Sequence, residues 1–235
     1  MKKLRIAMIG LGDIAQKAYL PILASHEYVT PILCTRNKQV LEQLAMQYRI
    51  NECFSDINSL IESKPDAVMI HTATESHFNI AVQSLNAGIP TFIDKPLSYN
   101  IHECKQLITL AREKKIPFYL GFSRRFAPQI TNLLTKNISH IRWQKNRVAL
   151  PDNATKDIFD DFIHIIDGLC YLAGNDISQL SNLQVVGQST KGQLTNVRIS
   201  FECDQRLFEG SMNRTSGISE EVIEAFGNNE KYHIS

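Results

Sequence analysis

The hexapeptide Gly10-Leu11-Gly12-Asp13-Ile14-Ala15 comes directly after the apolar run Leu4–Ile9, and this pairing constrains the fold more than any other feature. A compact apolar run ending in glycine reads as a parallel strand buried on both faces. The pattern after it is G-x-G-x-x-G/A. Its first glycine permits a tight turn, its second lets backbone approach a pyrophosphate, and the small third residue lets a helix pack closely on the strand. A helix opening at Asp13 or Ile14 offers N–H groups and the positive end of its dipole to phosphates. Pro21 is expected to kink or end that helix. The bland alternative is a glycine turn that serves packing alone.

The segments downstream of the loop give it a context. Val29–Cys34 reads as a second strand and Lys38–Tyr48 as a helix capped by Asn37. Residues 67–71 read as a third strand, 76–87 as a helix stopped by Gly88, and 91–93 as a fourth strand. Asn100 and Glu103 form an N-cap and N3 pair opening a helix to about residue 115, and Phe118–Gly121 closes the series. Strand and helix in strict alternation predict a doubly wound parallel sheet with helices on both faces, an α/β Rossmann domain over residues 1–121.

After Phe122 the rhythm changes. One helix, 159–173, ended by Gly174, stands among alternating runs at 141–148, 183–188, 197–203, 207–214 and 221–226. Short turns such as Asp204-Gln205 predict antiparallel pairing. Residues 122–235 are therefore expected to form an α+β domain with a mainly antiparallel open sheet.

Composition excludes several classes. A formal charge of +1 gives no electrostatic case for nucleic acid or an anionic membrane. The five cysteines are scattered without a C-x-x-C pair, which argues against a disulfide framework or a structural metal site and suits a reducing cytoplasm. Met1-Lys2-Lys3 imitates the start of a signal peptide, but Arg5 and Asp13 interrupt the apolar run behind it. No stretch approaches the ~18 apolar residues of a membrane span. The G-x-x-x-x-G-K-[ST], Tyr-x-x-x-Lys and H-E-x-x-H motifs are missing from the sequence.

Three places carry candidate chemistry. The second strand ends in Cys34-Thr35-Arg36-Asn37, without the carboxylate that usually bonds an NAD ribose. Arg36 could pair with a 2′-phosphate, with Thr35 and Asn37 hydrogen-bonding to it, which favours NADP over NAD. The other reading of Arg36 is a solvated loop arginine. Asp94-Lys95-Pro96-Leu97 comes directly after a strand, and a lysine there points into the crevice where such sheets bind ligands. Asp160, His164 and Asp167 sit at i, i+4 and i+7 on a helix, with Phe159, Phe162, Ile163, Ile166 and Cys170 expected on the opposite, buried side. A histidine between carboxylates can hold one tautomer and shuttle a proton, although such a trio also reads as a solvated face.

Taken in order, these segments resemble the glucose–fructose oxidoreductase / inositol dehydrogenase / MocA (Gfo/Idh/MocA) family and, within it, the MviM virulence-factor branch. The carriers are Lys3-Leu4-Arg5-Ile6 through Ala18, Thr72-Ala73-Thr74-Glu75-Ser76-His77-Phe78, Asn86-Ala87-Gly88, Asp94-Lys95-Pro96-Leu97, Gly121 through Pro128, and the Asp160/His164/Asp167 helix. The resemblance implies an NAD(P)-dependent oxidoreductase moving a hydride to or from a hydroxyl-bearing carbon of a sugar, polyol or cyclitol. Lys95 then matches the lysine of an E-K-P motif, and Asp160 and His164 match D-x-G-x-H-x-x-D, the histidine exchanging the hydroxyl proton. Cofactor contacts are implied for Gly10, Gly12, Asp13, Ile14, Thr72, Ala73, Thr74, Asp94 and Lys95. His77 is expected near the nicotinamide or as a cap, and Arg125 at the cofactor or as a bridge between domains. A cis Lys95–Pro96 bond and a homodimer through the second sheet are further expectations.

Three departures bear on this. Asp94 replaces glutamate and Phe162 replaces glycine, the latter placing a bulky ring near the site. The chain is also shorter than usual family members, so further sheet and a C-terminal helix are expected to be missing. The last two features feed an alternative, a non-catalytic dinucleotide-binding sensor of the same fold.

Overall fold

The computed structural model describes residues 2–174 and 177–235. The chain divides into two compact units, Met1–Gly121 and Phe122–Ser235.

The first unit holds a six-stranded sheet in the order β3-β2-β1-β4-β5-β6, with every pair parallel. Its strands are β1 (Leu4–Ile9), β2 (Val29–Cys34), β3 (Cys53–Phe54), β4 (Ala67–Ile70), β5 (Thr91–Asp94) and β6 (Phe118–Gly121). The helices are α1 (Leu20–Ser25), α2 (Lys38–Tyr48), α3 (Ile57–Glu62), α4 (Thr74–Asn86) and α5 (Ile101–Lys114). Alternate residues of β1 feed two cores. Ala7 and Ile9 pack with Ile70, Leu85 and Leu107, while Met8 packs with Leu20, Leu33 and Leu44. That is the doubly wound arrangement the alternation predicts, and strand order reverses between β1 and β4, where such sheets bind ligands.

Local details depart from the sequence expectations for identifiable reasons. The helix after Gly12 does not stop at Pro21. It runs through a π-helical stretch, Ala15–Tyr19, closed by the Leu20 N–H on the Ala15 carbonyl, into α1. Pro21 lies in the first turn of α1, where a missing N–H costs little. β3 and α3 were not anticipated. At α5, Asn100 caps His102 N–H (2.9 Å), but Glu103 does not reach back to Asn100 directly. Ser98 relays between them, accepting the Asn100 N–H and donating to the Glu103 carboxylate. The Lys95–Pro96 peptide bond is cis.

The second unit carries a six-stranded sheet in the order β12-β11-β7-β10-β9-β8. Its strands are β7 (His140–Asn146), β8 (Ser181–Thr190), β9 (Gln193–Cys203), β10 (Arg206–Asn213), β11 (Glu220–Gly227) and β12 (Glu230–Ile234). Pairing is antiparallel except at the centre, where β7 and β10 run parallel. The sheet is therefore mixed, and β12 is a strand the sequence reading omitted. Short helices α6 (Pro128–Leu133) and α7 (Ala154–Lys156) precede α8 (Ile163–Ala173), with a π-helical stretch, Asp157–Phe162, joining α7 to α8.

The extra residue per turn in that stretch shifts Phe159 out of the α-helical spacing that α8 continues. The buried line is Phe162, Ile165, Leu169 and Leu172, whereas Phe159, Ile163, Ile166 and Cys170 are only half-buried. Phe162 is 1% exposed and sits in the core with Trp143, Phe201 and Phe208, away from the role its position suggested. Gly168 is where α8 meets the sheet, because any Cβ there would collide with the Trp143 ring. His164 and Asp167 are buried, at 8% exposure each, so the polar stripe is not a solvated face.

Candidate functional site

A cleft of 670 Å³ opens at the carboxyl ends of β1 to β4, wholly within the first unit. Ile9, Gly10 and Gly12 line it from β1, and Cys34, Thr35 and Arg36 from β2. The turn into α3 adds Ser55, Asp56 and Ile57. His71, Thr72 and Ala73 come after β4, and Glu75, Ser76, Asn79 and Ile80 come from α4.

The two glycines are needed for different reasons. Gly10 has φ +86°, and a Cβ on it would lie 2.7 Å from both Thr72 Cγ2 and Thr72 N. It is a packing and turn residue. Gly12 shows no positive φ, and a Cβ there would meet nothing within 4 Å. Its bareness faces open space in the cleft, as close approach of a diphosphate requires. Ala15 is fully buried under the turn.

Helix starts support the same reading. α2, α3 and α5 are capped by the side chains of Asn37, Asp56 and Asn100. The helix after Gly12, which starts at Asp13 behind a glycine with no side chain, and α4, which follows Ala73, begin without a side-chain cap. Both start beside the cleft, so uncapped N–H groups and positive dipole ends are available to an anion there. The residues present thus fit a dinucleotide.

Of the residues expected at the cofactor, Gly10, Gly12, Thr35, Arg36, Thr72 and Ala73 line the cleft. Asp13, Ile14, Asn37, Thr74, His77, Asp94 and Lys95 are not on its walls. Asp13 pairs with Lys17 (2.7 Å) in solvent, and Asn37 is spent on Val40 N–H (3.2 Å). His77 is buried, its ring nitrogens 2.8 Å and 3.0 Å from the carbonyl oxygens of Pro96 and Thr72. It is neither a cap nor a cleft residue. Asp94 accepts the Lys95 N–H (2.9 Å) and lies 3.4 Å from His71 Nδ1.

Sequence reasoning missed the third wall. Asp56 accepts from Ser59 N–H and Ser59 Oγ (2.9 Å each), which holds its carboxyl below the usual range. Asp56 before Ile57, Leu60 and Ile61 is an N-cap ahead of an i, i+3, i+4 apolar set, a signal that was there to be read. The Cys34 thiol on the β2 wall is pushed up to about 11, chiefly by burial.

The remaining candidates belong to the second unit. His164 meets the Phe122 ring edge-on at 6.4 Å, and Asp160 is half-buried at the π-helical stretch. Arg125 forms a fork with the Asp167 carboxylate, Nε to Oδ2 at 3.0 Å, and lies over the Phe122 and Tyr171 rings. Burial nevertheless raises the Asp167 carboxyl. A buried ion network flanks this helix. Lys145, 2% exposed in its side chain, pairs with Asp161, and Arg214 bonds Asp157 and Asp161 at 2.7 Å each. Burial lowers Lys145 against the pull of Asp161. Among the described residues no cluster of three or more His, Cys, Asp or Glu could hold a metal ion, and no helix is long and apolar enough to cross a membrane.

Comparison with known proteins then places the chain. Residues 4–122 match the family described as "Oxidoreductase family, NAD-binding Rossmann fold", and residues 129–235 match "YceM-like, C-terminal domain". YceM of Salmonella typhimurium is 30% identical over 240 residues, covering 100% of this chain and 77% of that protein. An inositol 2-dehydrogenase of the same organism is 27% identical over 235 residues, covering 95% of this chain and 66% of that one. The crystal structure of a dehydrogenase (MviM) from Clostridium difficile superposes with a TM-score of 0.88 at 31% identity, over 99% of this chain and 77% of that one. The chain belongs to the Gfo/Idh/MocA family of oxidoreductases with an NAD-binding Rossmann fold, on its MviM-like branch.

Proposed function

We propose that the chain transfers a hydride between the nicotinamide of NAD(P) and a hydroxyl-bearing carbon of a sugar, polyol or cyclitol derivative. The observation that carries this reading is the cleft, where Gly12 and two uncapped helix starts face one space at the strand-order reversal. When bound, the dinucleotide supplies the hydride chemistry. The chain's own residues do the rest. The helix start after Gly12 and the start of α4 hold the diphosphate between Gly10 and Thr72-Ala73. Lys95 polarises the substrate hydroxyl oxygen, His164 takes or returns its proton, and Asp160 orients substrate or histidine. The burial of Phe162 in the core removes the steric argument for a non-catalytic sensor. The cyclitol substrate named for the inositol 2-dehydrogenase relative supports the substrate class.

Arg36 favours NADP. It lines the cleft, exposed, at the end of β2. A second reading, NAD, is favoured by Asp56, whose carboxylate is on the same cleft and has lone pairs left for a ribose hydroxyl. Fluorescence titration with NADPH and NADH decides between them, followed by a screen of polyols and sugars for turnover. Arg36→Ala should weaken NADPH by about 10- to 150-fold, the worth of a charge-assisted contact, and leave NADH within about twofold. Negligible binding of both nucleotides ends the oxidoreductase reading. Pairing of two copies through the second unit's sheet is part of the proposal, and light scattering tests it.

A further inference from the structure

The Lys95–Pro96 turn is tied back to the β4–α4 connection on both sides of the lysine. After it, the Pro96 carbonyl oxygen lies 2.8 Å from His77 Nδ1, and His77 Nε2 lies 3.0 Å from the Thr72 carbonyl oxygen. His77 is 1% exposed in the first turn of α4. Before it, Asp94 Oδ1 accepts the Lys95 N–H, and Asp94 Oδ2 lies 3.4 Å from His71 Nδ1. The His71 side chain is wholly buried, and its Nε2 has no hydrogen-bond partner among the described residues. An orphaned buried nitrogen is costly, so packing alone would favour an apolar ring at this position. The contact with Asp94 is what an imidazole adds. Thr72 is also the residue against which Gly10 is packed. A continuous path of contacts thus runs from the glycine turn through Thr72 and His77 to the carbonyl beside Lys95.

We propose that His77 is a positioning residue for Lys95, with Asp94 and His71 bracing the same turn from the other side. The proposal rests on the role given to Lys95 above. His77 holds the carbonyl of the Pro96–Leu97 peptide, one residue beyond the lysine, and Asp94 holds the lysine's own N–H, so the backbone is tied on both sides of the Lys95 side chain. Neither histidine touches substrate in this scheme; each acts through the turn.

The test is competitive acetylation of the intact two-unit chain with limiting acetic anhydride, read by peptide mass spectrometry. The labelling of Lys95 is expressed relative to exposed Lys38 and Lys105 in the same unit. Asparagine places its amide nitrogen near the position of Nδ1, and glutamine near that of Nε2. His77→Asn therefore keeps the tie to Pro96, and His77→Gln keeps only the tie to Thr72. The Lys95 ratio should shift by about fivefold in His77→Gln, one hydrogen bond's worth, and stay within about twofold of wild type in His77→Asn. His71→Phe, which retains an aromatic ring, should shift the ratio by about twofold or more. The proposal is overturned if the ratio is unmoved in His77→Gln, or moves equally in both His77 variants. It is also overturned if Lys95 changes only in step with Lys38, Lys105 and the melting temperature, since that is loosening of the whole unit. Should His77→Gln fail to fold, His71→Phe and His77→Asn decide by the same ratio. NADPH added to wild type tests the underlying reading separately. Failure to shield Lys95 counts against the dinucleotide role, whatever the variants show.

Discussion

The two glycines of the loop should fail in opposite ways when each gains a single methyl group. Gly10→Ala forces φ +86° on a residue with a Cβ and drives that atom to 2.7 Å from Thr72 Cγ2 and Thr72 N, and 2.9 Å from the His71 carbonyl carbon. The left-handed backbone costs ~1–2 kcal/mol. Overpacking against backbone that cannot rotate away adds ~1–3 kcal/mol. Together these predict a loss of ~2–5 kcal/mol in urea denaturation, a large part of the stability of an ordinary domain. Gly12→Ala meets nothing within 4 Å and has an ordinary φ, so its urea midpoint should stay close to wild type. The methyl instead stands in the space reserved for the diphosphate. At ~1–3 kcal/mol of steric cost, NADPH and NADH should each bind about 5- to 150-fold more weakly. The reasoning is refuted if Gly10→Ala unfolds at the wild-type urea concentration, or if Gly12→Ala binds both nucleotides as wild type does.

Three further expectations come from the side-chain environment. Lys145→Ala takes one cation from Asp161 and Glu221, which keep Arg214 and Arg124, and should cost ~1.5–3 kcal/mol in urea, the worth of a hydrogen bond to a charged group, whereas Lys145→Met, which refills the volume, should cost less. Burial would raise Asp161, but the hydrogen bond and charge of Lys145, with Arg147 and Arg214, hold it below its ordinary 3.8. A depressed carboxyl contributes stability above its unfolded value that is lost as pH falls through the folded one, so the gap between wild type and Asp161→Asn should narrow below about pH 4. A gap constant from pH 7 to pH 3 would refute this. The Cys34 thiol, pushed up to about 11 by burial, should react with iodoacetamide at pH 8 about 100-fold more slowly than an unperturbed thiol, as counted by mass spectrometry.

What the sequence disclosed and what it withheld divide along physical lines. β1 and β2 were legible to the residue, because a doubly buried strand is a short unbroken apolar run and little else produces one. The glycine loop was legible because its chemistry is local. β3 and α3 were not. A two-residue strand has no periodicity, and a six-residue helix shows hardly more than one repeat of its apolar face, so the Asp56 cap was the one mark α3 left. Asp56, a cleft residue, was lost with them. The π-helical stretches at Ala15–Tyr19 and Asp157–Phe162 leave no residue signature; helical spacing put Phe162 on the buried side, where it lies, and only the resemblance, with phenylalanine in place of glycine, put its ring near the chemistry. The parallel β7–β10 pair was hidden for another reason. Two strands far apart in sequence carry no mark of their pairing, whereas hairpin neighbours announce theirs through the turn.

That central pair also sets the order of assembly in the second unit. β7 is synthesised first among its strands, yet both of its hydrogen-bonding neighbours, β10 and β11, come late in the chain. Until they arrive, two bare rows of amide and carbonyl groups, with Ile141 and Trp143 between them, wait for partners. Such contacts are slow to close and open to capture by other strands. Folding of this half should be tardy and all-or-none, and a nascent chain halted before β10 should be a favoured client for chaperones that shield unpaired edges.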